Sequence, residues 1–286
     1  MTGTPQQHLP TLAVTGSTGW IGGLVARDLA SRGIPQRLLA RDLNRAPELS
    51  DAVALRCSYE ASSESERALT GVRTLFMVSA SEAADRLDQH RGFIDAAARA
   101  GVRHLVYLSF FGAAPHATFT LARDHYVTEQ HIRQSGMSWT FLRDNLYMEF
   151  FAHLAGDDGV IRGPAGRGRA AVVAHEDIAR AVVPVLGAPE EHVSETYDLT
   201  GPESLTLAEA AAIIAEETGR ECSFHDETLP EAYQSRAHYG AADWQVEAWV
   251  STYRAIRAGE LDGVTEDVER LTGRRPVSLA DYLRRA

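Results

Sequence analysis

The stretch Gly16-Ser17-Thr18-Gly19-Trp20-Ile21-Gly22 decides how this chain of 286 residues is expected to fold. It follows a short β-prone run at 11–15 and opens a helical pattern that Gly33 ends. In such a loop one glycine permits a sharp turn, another lets the backbone approach a pyrophosphate, and the third lets helix and strand pack closely. Free N–H groups at the start of the helix attract the anion. The spacing therefore predicts a dinucleotide-binding loop, with a mere tight turn as the alternative.

Strand and helix patterns alternate through the first half of the chain. The predicted strands are 11–15, 37–41, 53–57, 74–80, 103–109 and 139–143, and the predicted helices are 20–32, 85–100 and 121–134. Alternation of this kind implies right-handed βαβ crossovers. We therefore predict an α/β fold with a doubly wound, parallel sheet of the Rossmann type.

The rhythm of the sequence changes near residue 155. Residues 156–169 are glycine-rich and are expected to form an irregular loop that closes over a ligand. A helix is predicted at 174–186, a strand at 196–200, and mostly helix from residue 206 onward. We predict a Rossmann domain at 1–155 and a smaller, mostly helical substrate lobe at 156–286 that contributes an element back to the sheet.

Composition excludes several classes of partner and mechanism. The net charge of −11 argues against nucleic acid, because a phosphate backbone would be repelled overall. All 28 basic residues are arginine, which excludes a Schiff base or a catalytic ammonium group. Two cysteines, Cys57 and Cys222, are too few for a disulfide framework, and each is expected to be a small core residue in or at the start of a strand.

Targeting and metal-binding signals are not found in the sequence. The segment Met1–Pro10 is polar, and no apolar run approaches the ~18 residues of a membrane span, so a cytoplasmic protein without membrane contact is expected. No His/Cys motif has ligand spacing, and we predict no metal. Monomer and homodimer remain open.

The end of the second strand predicts which nicotinamide cofactor binds. An acidic residue there accepts a hydrogen bond from a ribose hydroxyl, whereas an arginine accommodates a 2′-phosphate. Arg41 ends this strand and Arg45 follows one helical turn later, although Asp42 is adjacent. We predict NADPH as the cofactor, with NADH possible and a simply exposed arginine as the alternative.

Segments spread along the chain resemble one known family. They are TGSTGWIGG at 15–23, TLFMVSAS at 74–81, HLVYLSFFGA at 104–113, SWTFLRDNLYMEFF at 138–151, YDLTGPESLTLAEAAAII at 197–214 and VTEDVERLTGRRPVSLADYL at 264–283. Together they resemble the NmrA-like branch of atypical short-chain dehydrogenases, and within it the triphenylmethane reductases and type 2 NAD(P)H:quinone oxidoreductases. The glycine loop is shared by many families, whereas TFLRDNLY and the tail are much more specific.

The resemblance implies roles for individual residues. It implies that residues 16–22 hold the cofactor phosphates and that Arg41 holds the 2′-phosphate. Val78 and Ser79 would line the cofactor, and Ser109 would lie near the nicotinamide. Ser58 stands close to where relatives often carry an aspartate that faces the adenine, so an adenine contact there stays open.

The usual catalytic pair of short-chain dehydrogenases is missing. That pair is Tyr-x-x-x-Lys, in which the lysine lowers the pKa of the tyrosine so that the phenol exchanges a proton. By position its slots hold Thr120 and Asp124, and the chain contains no lysine. Alcohol oxidation and sugar-nucleotide epimerisation by the usual route are therefore not expected.

Two other residues are candidates for catalysis. His125 matches both related groups and lies one turn before Glu129, so the two side chains are expected to hydrogen-bond, with Glu129 favouring protonated His125. The alternative is that His125 only anchors its helix. Tyr147 is the second candidate, near Asp144, where relatives usually carry asparagine. Either core packing or a flat site wall is open for the aromatic residues Phe110, Phe111, Phe150, Phe151 and Trp244.

These observations favour an NADPH-dependent reductase of conjugated, electrophilic acceptors such as quinones or cationic dyes. Acceptors of this kind take hydride directly and yield a delocalised product, so little acid assistance is needed. One alternative is a regulator that senses NAD(P) without turnover. Another is a biosynthetic enzyme that acts on one specific metabolite.

Overall fold

The computed structural model of the chain describes residues 9–285, and parallel strands form its centre. The strands are β1 Leu12–Thr15, β2 Gln36–Ala40, β3 Ala52–Arg56, β4 Thr74–Val78, β5 His104–Phe110, β6 Ser138–Asp144, β7 Val160–Gly163, β8 Arg169–Ala170, β9 Glu195–Leu199, β10 Leu205–Thr206 and β11 Ser223–Asp226. The helices are α1 Trp20–Ser31, α2 Ser63–Leu69, α3 Arg86–Arg99, α4 Thr120–Gln134, α5 Met148–Ala152, α6 His175–Gly187, α7 Leu207–Thr218, α8 Leu229–Arg236, α9 Asp243–Arg257, α10 Asp267–Thr272 and α11 Leu279–Arg285.

The central sheet has seven strands in the order β3-β2-β1-β4-β5-β6-β9. All neighbouring strands of this sheet run parallel. The chain leaves β1 toward β2 and β3 and then crosses back to β4 on the other side of β1. In open α/β sheets ligands bind at the carboxyl ends of the strands where the order reverses. The predicted Rossmann-type fold is confirmed, and its binding crevice lies between β1 and β4.

The two faces of the sheet pack against different helices. Along β1, Leu12 and Val14 belong to one buried cluster and Ala13 to another, because successive strand side chains point to opposite faces. The first cluster contains apolar residues of α1 and α6, and the second contains apolar residues of α2, α3 and α4. All residues of β5 are buried, as are those of β4 except the partly buried Val78, which explains their continuous apolar runs.

The second half of the chain returns to the sheet before it forms the rest of the molecule. Helix α6 packs on α1, and β9 pairs with β6 as the last strand of the sheet. A separate core cluster then joins α5, β7 and β8 to α7, α9 and α11. Residues after 199 are mostly helical, with only the short strands β10 and β11 among them.

Most predicted elements begin and end within two residues of the observed ones, and three expectations were wrong. The 156–169 segment is not wholly irregular, since β7 lies inside it and pairs in parallel with β11, far downstream. Helix α2 was not predicted. Cys57 lies one residue beyond β3 rather than inside it, although it is buried, and Cys222 immediately precedes β11 as expected.

Two expected absences concern the described part of the chain. Within residues 9–285 no helix has the length and apolar character that crossing a membrane requires. Over the same range no group of His, Cys, Asp and Glu side chains has the arrangement of a metal site. The segment used to predict the absence of a leader lies almost entirely in residues 1–8, outside the described range.

Candidate nucleotide groove and active site

The glycine loop between β1 and α1 has the conformation that its spacing predicts. Gly16 has a φ of +64°, a left-handed conformation that only glycine adopts readily, and its carbonyl accepts the N–H of Gly19 at 2.9 Å. A Cβ on Gly22 would lie 2.4 Å from the Gly16 carbonyl oxygen. The first and third glycines are therefore required by the turn and by the close approach of helix to strand.

The start of α1 is open toward an anion. Gly19 precedes the helix without a side-chain cap, and the first turn contains no acidic residue. Ser17 is buried, and its Oγ has no hydrogen-bond partner within residues 9–285. Uncapped N–H groups at a helix N-terminus fit a phosphate group, whereas the buried Ser17 hydroxyl does not reach the surface of the loop. The loop thus has the shape and the donors that a dinucleotide pyrophosphate needs.

A groove of about 720 Å³ extends from this loop along the ends of β2 and β4. Its lining contains ten of the sequence-predicted cofactor residues: Gly16, Thr18, Gly19, Trp20, Ile21, Gly22, Arg41, Ser58, Val78 and Ser79. Arg41 and Arg45 are exposed at its edge, and neither forms an ion pair within the described chain. Ser17 is not among the lining residues. The groove therefore offers uncompensated positive charge near the end of β2.

Tyr59 is a groove residue that the sequence did not indicate. Its hydroxyl hydrogen-bonds to the Val78 carbonyl and lies 2.7 Å from Thr15 Oγ1. Thr15 Oγ1 in turn accepts the N–H of Val78 at 2.9 Å. These contacts join the carboxyl ends of the neighbouring strands β1 and β4 at the groove.

A second cavity, of about 1110 Å³, adjoins the groove. Residues 79–82 and Tyr147 line both spaces. The cavity walls also include side chains from α8 and α9, which belong to the second half of the chain. A cofactor in the groove and a substrate in the cavity would therefore meet beside Tyr147.

Tyr147 and Asp144 form a pair at this junction. The Tyr147 hydroxyl donates to Asp144 Oδ2 at 3.0 Å, and the Asp144 residue is only 2% exposed. Burial raises the pKa of the Asp144 carboxyl well above its ordinary value, which favours its protonated form. Burial and the adjacent Asp144 likewise raise the pKa of Tyr147, which favours the neutral phenol.

His125 lines the cavity but does not pair with Glu129, which corrects the expectation from sequence. Arg86 donates to His125 Nε2 at 3.0 Å, and His125 Nδ1 lies 3.0 Å from the Tyr107 hydroxyl. A guanidinium only donates, so Nε2 accepts and the ring hydrogen is on Nδ1, facing Tyr107. Burial and the Arg86 charge hold the pKa of His125 well below its usual range. His125 is neutral here rather than protonated.

Glu129 instead belongs to a buried ion pair behind the cavity. Arg143 binds its carboxylate with two hydrogen bonds, of 2.8 and 2.6 Å, and Ser109 donates to it at 2.6 Å. Ser109, which the resemblance placed near the nicotinamide, lines neither space. The reason is strand alternation, because Ser109 shares with Tyr107 the face of β5 that packs on α4.

The slots of the missing catalytic pair have structural contacts. The N–H of Thr120 at the start of α4 donates to Ser251 Oγ at 3.2 Å. Asp124 forms an ion pair with Arg86 at 3.4 Å, and this arginine also donates to the Ala80 carbonyl. Arg86 therefore connects α3, α4 and the junction segment, a role that no motif in the sequence indicates.

Aromatic side chains form part of the cavity wall. Of the aromatic residues whose role the sequence left open, Phe110 and Phe150 line the cavity, whereas Phe111, Phe151 and Trp244 do not. Other aromatic residues of the wall were not predicted: Phe119, Tyr239, Trp249 and Tyr253. His175 was also missed, and its ring lies 4.5 Å from that of Tyr147 on the groove side.

Known proteins resemble this chain over nearly its whole length. NAD(P)H azoreductase of Xenophilus azovorans is 30% identical over 276 residues, which are 95% of this chain and 96% of the relative. The (4-alkanoyl-5-oxo-2,5-dihydrofuran-3-yl)methyl phosphate reductase of Streptomyces griseus is 33% identical over 277 residues, again covering 95% and 96% of the two chains.

Solved structures agree with these relatives. The NADPH-dependent quinone oxidoreductase of Escherichia coli, solved with NADPH, has a TM-score of 0.87 at 27% identity and covers 95% of this chain and 98% of its own. Triphenylmethane reductase of Citrobacter sp., solved with NADP(H), has a TM-score of 0.85 at 28% identity, covering 96% and 99%.

A negative transcriptional regulator solved with NADP shares the architecture at lower similarity. Its TM-score is 0.73 at 16% identity, with 97% of this chain and 95% of the regulator covered, and this likeness shows the fold alone. A family model described as the NmrA-like family matches residues 9–250, which is well over half of the chain. The relatives that match over nearly their full length agree with this family model. The chain therefore belongs to the NmrA-like family, as its sequence segments predicted.

Proposed function

We propose that this protein is an NADPH-dependent reductase that transfers hydride to conjugated, electrophilic small molecules such as quinones and dyes. The observation that carries the proposal is the junction at residues 79–82 and Tyr147, where an anion-binding groove opens into a large cavity with aromatic walls. The class of the chain, an NAD(P)H-dependent oxidoreductase, follows from the reductases that match it over nearly full length.

The groove supports NADP(H) as the cofactor. When bound, NADPH supplies two electrons and one hydrogen as hydride. The glycine loop would hold the pyrophosphate, while Arg41 and Arg45 would bind the 2′-phosphate at the end of β2. Val78 and Ser79 would line the cofactor up to the junction. The solved relatives contain NADPH or NADP(H), and NADH remains a possible second cofactor.

Among the described residues, the arginines of the cavity leave no unpaired positive charge for an anionic acceptor. Arg86 pairs with Asp124, Arg162 with Asp158, and Arg236 with Glu227. The wall also contains the carboxyl groups of Glu82 and Asp157, which favours a neutral or cationic acceptor. Aromatic walls suit a flat, delocalised molecule, which binds by apolar and π contacts.

The missing Tyr-x-x-x-Lys pair limits the chemistry. Reduction of an isolated carbonyl, or oxidation of an alcohol, needs a general acid or base that exchanges a proton with one oxygen. A conjugated acceptor spreads the added charge, so positioning provides most of the acceleration. The net charge of −11 also favours a small molecule over a nucleic acid.

Acceptor-dependent oxidation of NADPH tests the proposal. Purified protein should consume NADPH with a simple benzoquinone, a cationic triphenylmethane dye or an azo dye, and should show little activity with a secondary alcohol and NADP⁺. Arg41→Ala should raise the KM for NADPH and leave kcat nearly unchanged. Tight NADPH binding with no turnover of any acceptor would instead favour a cofactor-sensing regulator.

A second candidate is the reduction of one specific metabolite. It is supported by the 33% identity to the Streptomyces griseus reductase, which is named for a single phosphate ester. High activity with one ester of that type, together with weak activity on quinones and dyes, would favour this candidate.

A further inference from the structure

The Asp144–Tyr147 pair is the only hydrogen-bonded acid and hydroxyl at the junction among the described residues. Tyr147 lines both the groove and the cavity, while Asp144, at the carboxyl end of β6, lines only the cavity. Hydride addition to a quinone or an azo group leaves an anionic oxygen or nitrogen that must take up a proton, whereas a cationic dye becomes neutral without one. The chemistry at the junction therefore needs a group that holds a proton at neutral pH and is connected to the cavity.

We propose that Asp144 is the proton source of the reaction and that Tyr147 passes its proton to the reduced acceptor. This inference rests on the proposed reductase function. The acceptor gains two electrons and one hydrogen as hydride, and its anionic oxygen or nitrogen then takes the proton of the Tyr147 hydroxyl. The O–H bond of Tyr147 breaks as Asp144 transfers its carboxyl proton to the phenol oxygen. Asp144 is left as a carboxylate and regains a proton from solvent.

The geometry explains why Tyr147 alone is insufficient. Its raised pKa makes a lone tyrosinate costly in this buried position, and a negative Asp144 beside it would increase that cost. When Asp144 supplies a proton across the 3.0 Å contact, the phenol oxygen of Tyr147 stays neutral. For this transfer the Asp144 hydroxyl donates to the Tyr147 oxygen, which reverses the direction in the resting pair.

His125 is not in a position to donate this proton. Its Nε2 accepts from Arg86, and its Nδ1 hydrogen faces Tyr107 rather than the cavity. The pKa of His125 lies well below its usual range, so at neutral pH it has no extra proton to give. The other charged or titratable groups around the pair are Arg86 from α3, Glu149 from α5 and His175 from α6. None of them hydrogen-bonds to the Tyr147 hydroxyl or the Asp144 carboxyl.

Asp144→Asn tests this proton relay from Asp144 through Tyr147 to the acceptor. The substitution keeps the shape of the side chain and a hydrogen bond to Tyr147 while it removes the transferable proton. With a quinone acceptor, kcat should fall roughly a hundredfold or more, as expected for loss of general acid assistance. The NADPH dissociation constant should stay within about twofold. In the unmutated enzyme kcat should decline as pH rises through the raised pKa of Asp144, and the variant should lack this decline.

Asp198→Asn is the matched control. Asp198 lies on β9, beside β6, and burial also raises its pKa, but it does not line the cavity. This variant should keep the kcat and the pH profile of the unmutated enzyme. Tyr147→Phe should reproduce the low kcat of Asp144→Asn, and combining the two changes should add little further loss.

Stability against pH provides a readout that needs no turnover. An acid whose pKa is raised by folding binds its proton more tightly in the folded state. The unmutated protein should therefore lose free energy of unfolding as pH rises from about 4, the ordinary value of a free aspartate, through the raised pKa of Asp144. The variant Asp144→Asn should lack this part of the loss. An infrared band of a protonated carboxylic acid, absent from the variant, should mark the same group.

The outcomes separate the relay from the proposed function. Turnover that Asp144→Asn leaves unchanged in rate and pH profile would overturn the relay alone. An ionised Asp144 at neutral pH, seen as a missing carboxylic acid band, would do the same. Absence of turnover with every acceptor in the unmutated protein would remove the reductase proposal, and the relay with it.

Discussion

The nucleotide groove and the substrate cavity meet at Tyr147, yet they are assembled in different ways. Apart from Tyr147 and His175, the groove is formed by residues 15–93, around one loop and the ends of neighbouring strands. The cavity draws on residues from 79 to 253, including two helices of the second half of the chain. Cofactor binding is thus encoded in local spacing, whereas the substrate side depends on contacts between distant parts of the sequence.

The two spaces also differ in how charge is arranged. Arg41 and Arg45 at the groove edge form no ion pair within residues 9–285, while the arginines of the cavity wall are each paired with a carboxylate. The groove therefore presents unpaired arginines to an anionic ligand, whereas the described part of the cavity wall presents none. Substitutions in the groove should change cofactor affinity, and substitutions in the cavity should change turnover.

The largest effect on the groove is expected from Gly22→Val. The new Cβ would lie 2.4 Å from the Gly16 carbonyl oxygen and 2.6 Å from that of Thr15, so the loop must move. Loss of two charge-assisted contacts to phosphate, each about 1.5–3 kcal/mol, weakens NADPH binding by roughly a hundredfold or more. Overpacking should also lower the free energy of unfolding by about 1–3 kcal/mol. Titration with NADPH and chemical denaturation measure the two effects.

Gly187→Ala is the control for that substitution. Gly187 ends α6, and a Cβ there would meet no atom within 4 Å. Cofactor affinity and stability should both remain close to those of the unmutated protein. If Gly22→Val kept normal NADPH affinity, the loop would not be the pyrophosphate site and the contrast between the two spaces would fail.

A smaller effect is expected from Arg41→Ala, which tests cofactor binding at the end of the groove near β2. A charge-assisted contact to the 2′-phosphate is worth about 1.5–3 kcal/mol, so the preference for NADPH over NADH should fall roughly tenfold to a hundredfold. The measurement is the dissociation constant of each cofactor. Arg56→Ala, an exposed arginine outside the groove, should leave both constants unchanged. Equal affinities in the unmutated protein would contradict this role of Arg41.

The same contrast explains how far the sequence alone could reach. Glycine spacing and apolar periodicity are local signals, and they predicted the loop and nearly all strands of the sheet to within two residues. The pairing of β7 with β11 joins segments about sixty residues apart, and the sequence gives no sign that the two segments pair. A short polar strand at the molecular surface gives no apolar periodicity to detect.

The same difference between local signals and distant contacts applies to the prediction of site residues. Arg41 could be predicted as a cofactor residue because its position at the end of a strand has a known meaning in this fold. Arg86 and Tyr59 were missed because their roles arise from contacts with other elements, to which sequence spacing gives no access. The error on His125 has the same origin, since helical spacing made Glu129 its natural partner while the fold gave that carboxylate to Arg143.

The smallest of these effects is expected from His125→Ala, which tests whether this cavity residue is structural. Its removal leaves an Arg86 N–H and the Tyr107 hydroxyl without their partner, which costs about 1–3 kcal/mol and lowers Tm by several degrees. Because folding depresses the pKa of His125, the unmutated protein should lose stability as pH falls below about 6.5, and the variant should lose less. Among folded molecules kcat should change little and NADPH affinity should not change. Thermal unfolding at several pH values, combined with kcat corrected for the folded fraction, makes the distinction. A kcat reduced a hundredfold at unchanged Tm would instead identify His125 as the proton donor and leave Asp144 without that role.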